Sequence, residues 1–281
     1  MSDIDVIDDS FDKNITTSYF LSIQVSLNGL SFSVLDPVRN IYILFKHIYF
    51  EKEDINYAQT QELLITNPVL NYDYKRVYFL FNTSNATIVP DSLYNHEETG
   101  QTLLFNSRIN KENQKIESLK IKLADAWNIF AVPDFLYYMV KNQYPEVQFF
   151  QQYTPQIEAN LISGIVTTEP VMYINIQKDI FDIVVLKKYS LLFCNSFKYN
   201  NPEEFAYFAL NSVKQLNFDQ KNIKVVLSGI MAGSDSYYNI LNRYLNSVSI
   251  IRPPRQFNFS SGFKAVKTEE FYNLFSLPLC V

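Results

Sequence analysis

Cysteine and histidine are scarce in this chain of 281 residues. Its two cysteines, Cys194 and Cys280, lack CxxC spacing, and its two histidines, His47 and His96, lie far apart. This arrangement suits neither a zinc site nor a cysteine–histidine dyad, so no metal ligand and no catalytic residue is expected. Two thiols in apolar surroundings predict reduced, buried side chains in a cytoplasmic protein.

Long apolar runs and clusters of basic residues are also missing. The most apolar candidate, residues 41–50, is interrupted by Lys46 and His47, so no transmembrane segment is predicted. The net charge is −5 and the 24 Lys and Arg residues are scattered, which leaves little positive charge for a phosphate backbone. A nucleic-acid partner is therefore not expected. Walker A, GxGxxG, HExxH and nucleophile-elbow motifs are absent too.

The N-terminal residues 1–18 have no positive region and no apolar core, so they do not predict a signal peptide. Their acidic cluster could in principle bind a metal; it consists of Asp3, Asp5, Asp8, Asp9 and Asp12. A solvated, partly disordered acidic tail is the favoured interpretation.

Aromatic residues are abundant, with 23 Phe and 20 Tyr, and 47% of the residues are hydrophobic against 19% charged. This balance is typical of a globular protein and predicts a large aromatic core. An aromatic binding platform is the alternative, but it would need a basic groove beside it. The length suffices for one large domain or two medium ones.

The chain repeats one order of elements. The first copy covers residues 21–64 and the following strand "RVYFLF"; the second covers residues 171–216 and the strand "KVVLS". Each copy has two alternating strands joined by a tight turn, a third apolar strand and a helix with an acidic first turn, Glu53-Asp54 or Pro202-Glu203-Glu204. In the first hairpin, Asn28-Gly29 predicts a type I′ turn. Both halves are therefore predicted to have the element order β-β-β-α-β, and each ends in a strand typical of the middle of a sheet.

Further elements are predicted between and after the two copies. They are strands over "QTLLFNSR" and "KIESLKIKLA", a helix from Pro133-Asp134 to Pro145, a strand over "EVQFFQQ", a helix over "PQIEANLISGI", a helix over "SYYNILNRYLN" capped by Ser234-Asp235, a strand over "SVSIIRP" and a terminal helix over "KTEEFYNLFSL". The predicted division is an acidic tail at 1–18, a first domain at 19–168 with inserted strands, and a second domain at 169–281.

Duplicated β-β-β-α-β halves resemble the actin, Hsp70 and sugar-kinase superfamily, in particular its bacterial branch with the PilM and GspL assembly proteins. The openings "YFLSIQVSLNGLSFSVLD" and "MYINIQKDIFDIVVL" and the ending "FYNLFSLPLC" are similar to an uncharacterised Bacteroidetes family with an actin-like ATPase fold and no assigned function. The resemblance spans nearly the whole chain from about Tyr19 onward. It implies an α/β protein with two repeated domains in the actin-like (ribonuclease H-like) ATPase fold, separated by an interdomain cleft.

The resemblance also implies where a nucleotide would bind. In active members each hairpin begins with Asp-x-Gly: the carboxylates organise magnesium, and the glycines let the backbone approach the phosphates. The matching positions here are Gln24 and Ser26 in the first hairpin and Asn175 and Gln177 in the second. Because an amide brings no negative charge to hold magnesium, these nucleotide motifs are degenerate.

A later glycine-rich turn, residues 228–235, keeps Gly229 and Gly233 but not the paired glycines of active members. It could bind an anion at a helix N-terminus, although a plain strand-to-helix turn is favoured. Two carboxylates remain in the second hairpin, Asp179 and Asp182. Asp179 could in principle replace a lost carboxylate, but a turn residue is the favoured interpretation. The residues expected at the degenerate cleft are Gln24, Ser26, Asn28, Gly29, Asn175, Gln177, Asp179, Ser228, Gly229 and Gly233.

The sequence thus favours a non-catalytic actin-like protein that acts as a protein-binding or scaffolding module. No cofactor is expected, and ATP with magnesium is disfavoured. The alternative is a nucleotide-binding protein or weak ATPase with a reorganised cleft. A third hypothesis is a structural homodimer that uses an aromatic surface. The expected partner is an unidentified protein, with a second copy of the chain included.

Overall fold

A computed structural model gives the fold and describes residues 3–50, 57–107, 112–163, 168–230 and 235–280. Within these ranges the strands are β1 (Ile4–Ile7), β2 (Phe20–Ser26), β3 (Gly29–Asp36), β4 (Ile41–Tyr49), β5 (Arg76–Phe81), β6 (Ala86–Pro90), β7 (Gln114–Ile121), β8 (Ala126–Pro133), β9 (Gln148–Gln151), β10 (Val171–Ile176), β11 (Ile180–Lys187), β12 (Ser190–Lys198), β13 (Lys224–Ser228), β14 (Ser247–Ile250) and β15 (Asn258–Phe259). The helices are α1 (Tyr57–Thr66), α2 (Thr99–Asn106), α3 (Asp134–Gln143), α4 (Tyr153–Ile162), α5 (Pro202–Gln215), α6 (Asp235–Asn242) and α7 (Tyr272–Ser276). None of these helices combines the length and the apolar character that crossing a bilayer requires.

The first sheet has the strand order β1-β4-β3-β2-β5-β9, with β15 also paired to β4. The neighbours β2, β3 and β4 are antiparallel, whereas β5 is parallel to β2 and β9 is parallel to β5. Strands β2 and β3 are buried on both faces, apart from Phe20 at the start of β2. Their apolar residues lie in the core, and their polar residues, such as Ser22 and Gln24, are buried on the opposite face.

The second sheet repeats this arrangement with the order β12-β11-β10-β13-β14. Its first three strands are antiparallel, and β13 and β14 continue in parallel. The predicted duplication is therefore confirmed in element order, pairing and strand direction. Helix α5 also begins as predicted, because Asn201 accepts a hydrogen bond from the Glu204 backbone N–H at 2.8 Å and Pro202 follows the cap. The acidic pair predicted to open the first helix lies outside the described residues.

An inserted three-stranded sheet, in the order β6-β8-β7, lies between β5 and β9 in the chain. The prediction of a strand over "QTLLFNSR" is wrong, because this segment forms α2. Its buried residue Leu103 packs against Ile129 and Ala131, whereas Phe105 is 91% exposed. A strand would bury both positions, and a short apolar run by itself does not distinguish helix from strand.

Two helices lie between the sheets and connect them. Helix α7 packs on the first sheet, where Phe275 meets Tyr42 at 4.9 Å between ring centroids and accepts a 2.6 Å hydrogen bond from the Tyr42 hydroxyl. Helix α4 packs on the second sheet through Ile157. The helices meet where the Tyr272 hydroxyl lies 3.2 Å from Asn160 Oδ1. Each predicted domain therefore contributes a helix that packs on the sheet of the other, and the limits 19–168 and 169–281 stay predictions.

The acidic N-terminal segment differs from its predicted solvated, disordered state. Strand β1 pairs antiparallel with β4, with Val6 opposite Phe45. Phe11 packs against the main core, and the Asp5 carboxylate lies 2.6 Å from Lys46 Nζ. The alternation of Asp with Ile and Val lets one face of the strand bury apolar side chains while its carboxylates stay at the surface.

The first hairpin turn also differs from its prediction. Ser26 pairs with Gly29, so the two loop residues are Leu27 and Asn28, and Gly29 begins β3. A type I′ turn needs positive φ at both loop residues, and Asn28 does not have it. Gly29 is required for a different reason, since a Cβ there would lie 2.1 Å from the backbone oxygen of Ile48.

Both cysteines are free thiols. Cys280 is buried as predicted, but Cys194 on the edge strand β12 is only partly buried.

Candidate functional site

Residues from both halves of the chain line one small cavity. Ser26 and Leu27 come from the first hairpin, and Gln177, Ile180 and Asp182 come from the second. The loop after β5 and the start of α4 complete the lining with Asn82, Thr83, Ser84 and Gln152. The two hairpins therefore meet as the repeat predicts, but the space between them is only about 30 Å³. That volume holds about two water molecules, whereas small-molecule sites usually occupy roughly 300–1,000 Å³.

Asn175 and Gln177 are hydrogen-bonded to each other and to the neighbouring strand. Asn175 is buried; its Nδ2 donates to Ser228 Oγ at 3.1 Å, and its Oδ1 accepts from Gln177 Nε2 at 2.8 Å. The turn is held further by the Tyr199 hydroxyl, which donates to the Gln177 backbone oxygen at 2.5 Å. The side chains of Asn175 and Gln177 are thus engaged with each other.

Gln24 lies on β2, opposite Ser31 of β3, and is not among the residues that line the cavity. Its side chain is buried, and its Oε1 has no hydrogen-bond partner in the described part of the chain. Ser26, two residues further along, lines the cavity and donates from Oγ to the Gly29 backbone oxygen at 3.4 Å. The structure therefore does not bring Gln24 and Asn175 together across an open cleft.

The other predicted cleft residues have local structural roles. Asn28 accepts a backbone hydrogen bond from Phe50 at 3.2 Å, and Asp179, which is exposed in its turn, accepts one from Tyr199 at 3.1 Å. Gly229 has φ +91°, and a Cβ there would lie 2.4 Å from the Ile176 backbone oxygen. Close packing of two backbones therefore explains this glycine. Gly233 lies outside the described residues.

Asp182 is a cavity residue that the predicted set does not contain. It faces Asn175 across the β10–β11 pair and is 1% exposed. Its carboxylate accepts hydrogen bonds from Ser196 Oγ and, at 3.4 Å, from Gln152 Nε2. Burial raises the pKa of this carboxyl group to about 6, although both donors act in the opposite direction. An Asp inside the apolar run "IFDIVVL" was the available sequence signal.

Gln151 and Gln152 are also absent from the predicted set, and Gln152 connects the two halves. Gln152 accepts a hydrogen bond from the Thr83 backbone N–H and donates to the Thr83 backbone oxygen, both at 3.0 Å. Gln151 Nε2 donates to the same oxygen at 2.9 Å. Because Gln152 also donates to Asp182, the loop after β5 and the second sheet share one polar network.

A second buried titratable group lies on the α7 side of the first sheet. His47 of β4 is 1% exposed, and its Nδ1 lies 2.7 Å from Ser31 Oγ. Its Nε2 has no partner in the described ranges, so the imidazole is only half satisfied. Burial lowers its pKa to about 4, which keeps the ring neutral at physiological pH.

The chemistry available at the cavity is that of neutral amides, hydroxyls and one buried carboxyl group. The described residues contain no group of three or more His, Cys, Asp or Glu side chains that could hold a metal ion. The amide oxygens of Asn82 and Gln177 are buried and have no partner among the residues that the structure describes, and a cavity of this size would let water donate to them.

A family model for proteins of unknown function, DUF3822, matches residues 8–248. The chain belongs to the DUF3822 family. No curated protein matches the sequence. Among solved structures, this DUF3822 protein is similar to a Bacteroides thetaiotaomicron protein described as having an actin-like ATPase fold and unknown function. The TM-score is 0.81 with 27% identity, covering 92% of this chain and 98% of that one.

More distant similarities agree on the fold. The PilM–PilN type IV pilus biogenesis complex matches with a TM-score of 0.60 and 11% identity, over 93% of this chain and 98% of that one. The ethanolamine utilization protein EutJ from Carboxydothermus hydrogenoformans matches with a TM-score of 0.53 and 10% identity, over 98% and 93%. This member of the DUF3822 family therefore has the predicted actin-like ATPase fold.

Proposed function

We propose that this protein is a non-catalytic actin-like protein that works by binding another protein, as a scaffold or an assembly module. The observation that carries the proposal is the small space between the two hairpins, about 30 Å³ in volume. A nucleotide could enter only if the two hairpins separated, and Gln152, which contacts both Thr83 and Asp182, would then lose one of these two partners.

The residue chemistry supports the same conclusion. Magnesium keeps much of its hydration shell and needs carboxylates to hold it beside phosphates. Gln24 and Asn175 stand at the two positions where active members carry those carboxylates, and both are neutral. Asn175 also has its amide oxygen and nitrogen occupied by Gln177 and Ser228.

A protein partner is supported by analogy within the fold. PilM, whose structure is similar to this one, was solved in a complex with PilN. Fold similarity alone does not assign function, so the partner of this chain has to be sought experimentally. A second copy of the chain and a cytoplasmic location both remain part of the proposal.

The test is differential scanning fluorimetry with ATP, ADP or GTP at millimolar concentration, with and without magnesium. A ligand present at 100 times its Kd stabilises a protein by about 2.7 kcal/mol. For a protein of this size that corresponds to a rise in Tm of roughly 5–10 °C. We expect no nucleotide-dependent rise, and magnesium alone is the control. A clear rise would instead establish the nucleotide-binding or weak ATPase alternative.

A further inference from the structure

A groove outside the hairpin cavity lies between the inserted sheet and the second sheet. Strand β6 contributes Ala86, Thr87, Ile88 and Pro90 to it, and β12 contributes residues 191–195. Tyr153 of α4 also lines it. The volume is about 520 Å³, within the usual range for a bound peptide or ligand.

Both walls of the groove are unpaired sheet edges. Strand β6 pairs only with β8, and β12 pairs only with β11, so each is the outermost described strand of its sheet. Side chains alternate along a strand, whereas the groove is lined by consecutive residues of both strands. The strands therefore present their main chains to the groove and not only one row of side chains.

The direction of the free amides on β12 follows from one hydrogen bond. The Ser196 backbone N–H donates to Asn195 Oδ1 at 2.9 Å, so this amide is not part of the ladder with β11. Amides two residues apart point the same way along a strand, so the Cys194 amide also faces outward. Asn195 thus covers the edge at Ser196, whereas the stretch before it borders the groove.

The side chains of the groove specify what it would accept. Ile88, Leu191 and Cys194 pack beside Tyr153 around its floor, and Leu192 is 43% exposed. Of the residues that line this groove in the described part of the chain, Asp125 alone is charged. The chain as a whole carries a net charge of −5. An extended apolar segment with a basic residue complements both the edges and this charge.

We infer that the groove binds a short extended segment of another protein, which adds to β12 as a further strand. About five residues would span positions 191–195, at roughly 3.3 Å per residue. Their main chain would bond to β12, alternate apolar side chains would contact Ile88 and Leu192, and a Lys or Arg would approach Asp125. Addition of a strand to an exposed edge is a common mode of peptide recognition. The inference deepens the proposed protein-binding function and depends on it.

The test starts with a phage-displayed library of random linear peptides selected on the full chain. Enriched peptides are synthesised with a fluorophore, and their Kd values are measured by anisotropy. We expect alternating apolar residues with a basic residue, and at least tenfold weaker binding to Leu192→Lys. The matched control is Tyr189→Lys, because Tyr189 is 64% exposed in the β11–β12 turn and does not line the groove. Circular dichroism checks that both variants fold.

Two readouts separate strand addition from general stickiness. N-methylation of alternate peptide amides should abolish binding while methylation of the intervening amides leaves it intact, and bound peptide should slow hydrogen exchange in β12. If the selected peptides bound Leu192→Lys as tightly as the original chain, the groove would not be the binding site, although the protein could still bind a partner elsewhere. The inference would also be overturned if the library yielded no specific peptide. It would be overturned too if the chain self-associated and Leu192→Lys abolished this, because the occupant of the groove would then be a second copy of the chain. Nucleotide-dependent stabilisation refutes the proposed function independently of these results.

Discussion

The buried carboxyl group of Asp182 gives the sharpest test of the closed cavity. Its pKa is raised from 3.8 to about 6 because the charged form is buried beside Gln152 and Ser196. Between these two pH values the folded protein holds the proton more tightly than the unfolded chain. The free energy of unfolding should therefore fall as pH rises from about 4 to about 6, and the reduction should stay constant above that.

The size of this effect follows from the shift. Each pKa unit corresponds to about 1.4 kcal/mol, so ionised Asp182 lowers the free energy of unfolding by about 3 kcal/mol at pH 8. At pH 4, where the folded carboxyl group is protonated, the reduction is less than about 1 kcal/mol. Asp182→Asn removes the ionisation and keeps an oxygen that can accept from Ser196. We expect the variant to gain about 2–3 kcal/mol over the original chain between pH 4 and pH 8.

Urea denaturation at a series of pH values measures this gain. With a slope of about 3 kcal/mol per molar urea, the midpoint at pH 8 should rise by close to 1 M in Asp182→Asn. Asp179→Asn is the control, since it removes an exposed carboxylate from the same hairpin. If Asp182→Asn and the original chain showed parallel pH profiles, or if the variant were less stable at pH 8, the account of Asp182 as a buried carboxyl group with a raised pKa would be wrong.

Three further predictions use other parts of the structure. Burial lowers the pKa of His47 to about 4, so the free energy of unfolding should fall by about 3 kcal/mol as pH falls from 6.5 to 4. In urea titrations His47→Phe should abolish this pH dependence, and an unchanged dependence would contradict the prediction. Gly229→Ala should lower the free energy of unfolding by more than about 2 kcal/mol, because the added methyl group would meet a backbone oxygen of β10. In the control Gly262→Ala the methyl group meets a side-chain methyl, so the change should be smaller. Equal urea midpoints for the two variants would refute this prediction. The double variant Gln24→Asp/Asn175→Asp should still not bind magnesium-ATP in calorimetry, because the space stays closed; saturable binding would show that the missing carboxylates alone prevent it.

Sequence patterns were sufficient for the fold because they reflect local and repeated constraints. Alternating strands, the helix start at Pro202-Glu203-Glu204 and the two apolar central strands each follow from periodicity or helix-terminus preferences within a few residues. Their order recurs in both halves, so the duplication was predictable, and the structure confirms it with the same pairing in both sheets. The family comparison confirms the fold that this order implies.

Local reasoning failed where distant contacts determine the structure. "QTLLFNSR" forms a helix because it packs by Leu103 on the inserted sheet, and the acidic segment Ile4–Ile7 is ordered by pairing with β4. The requirement for glycine at position 29 comes from the backbone of β4, which lies about twenty residues further along the chain. A turn motif read from two neighbouring residues contains no information about that contact.

The sequence by itself determined the repeated fold and the neutral side chains of Gln24 and Asn175, because residue identity and periodicity are local properties. Only the tertiary structure decided that the hairpins close to about 30 Å³, that Asp182 lies buried beside Gln152, and that β6 and β12 leave facing edges. Volumes, buried charges and unpaired edges depend on which segments meet in space. These contacts are set by the packing of α4 and α7 between the sheets, and they join residues that lie far apart in the sequence.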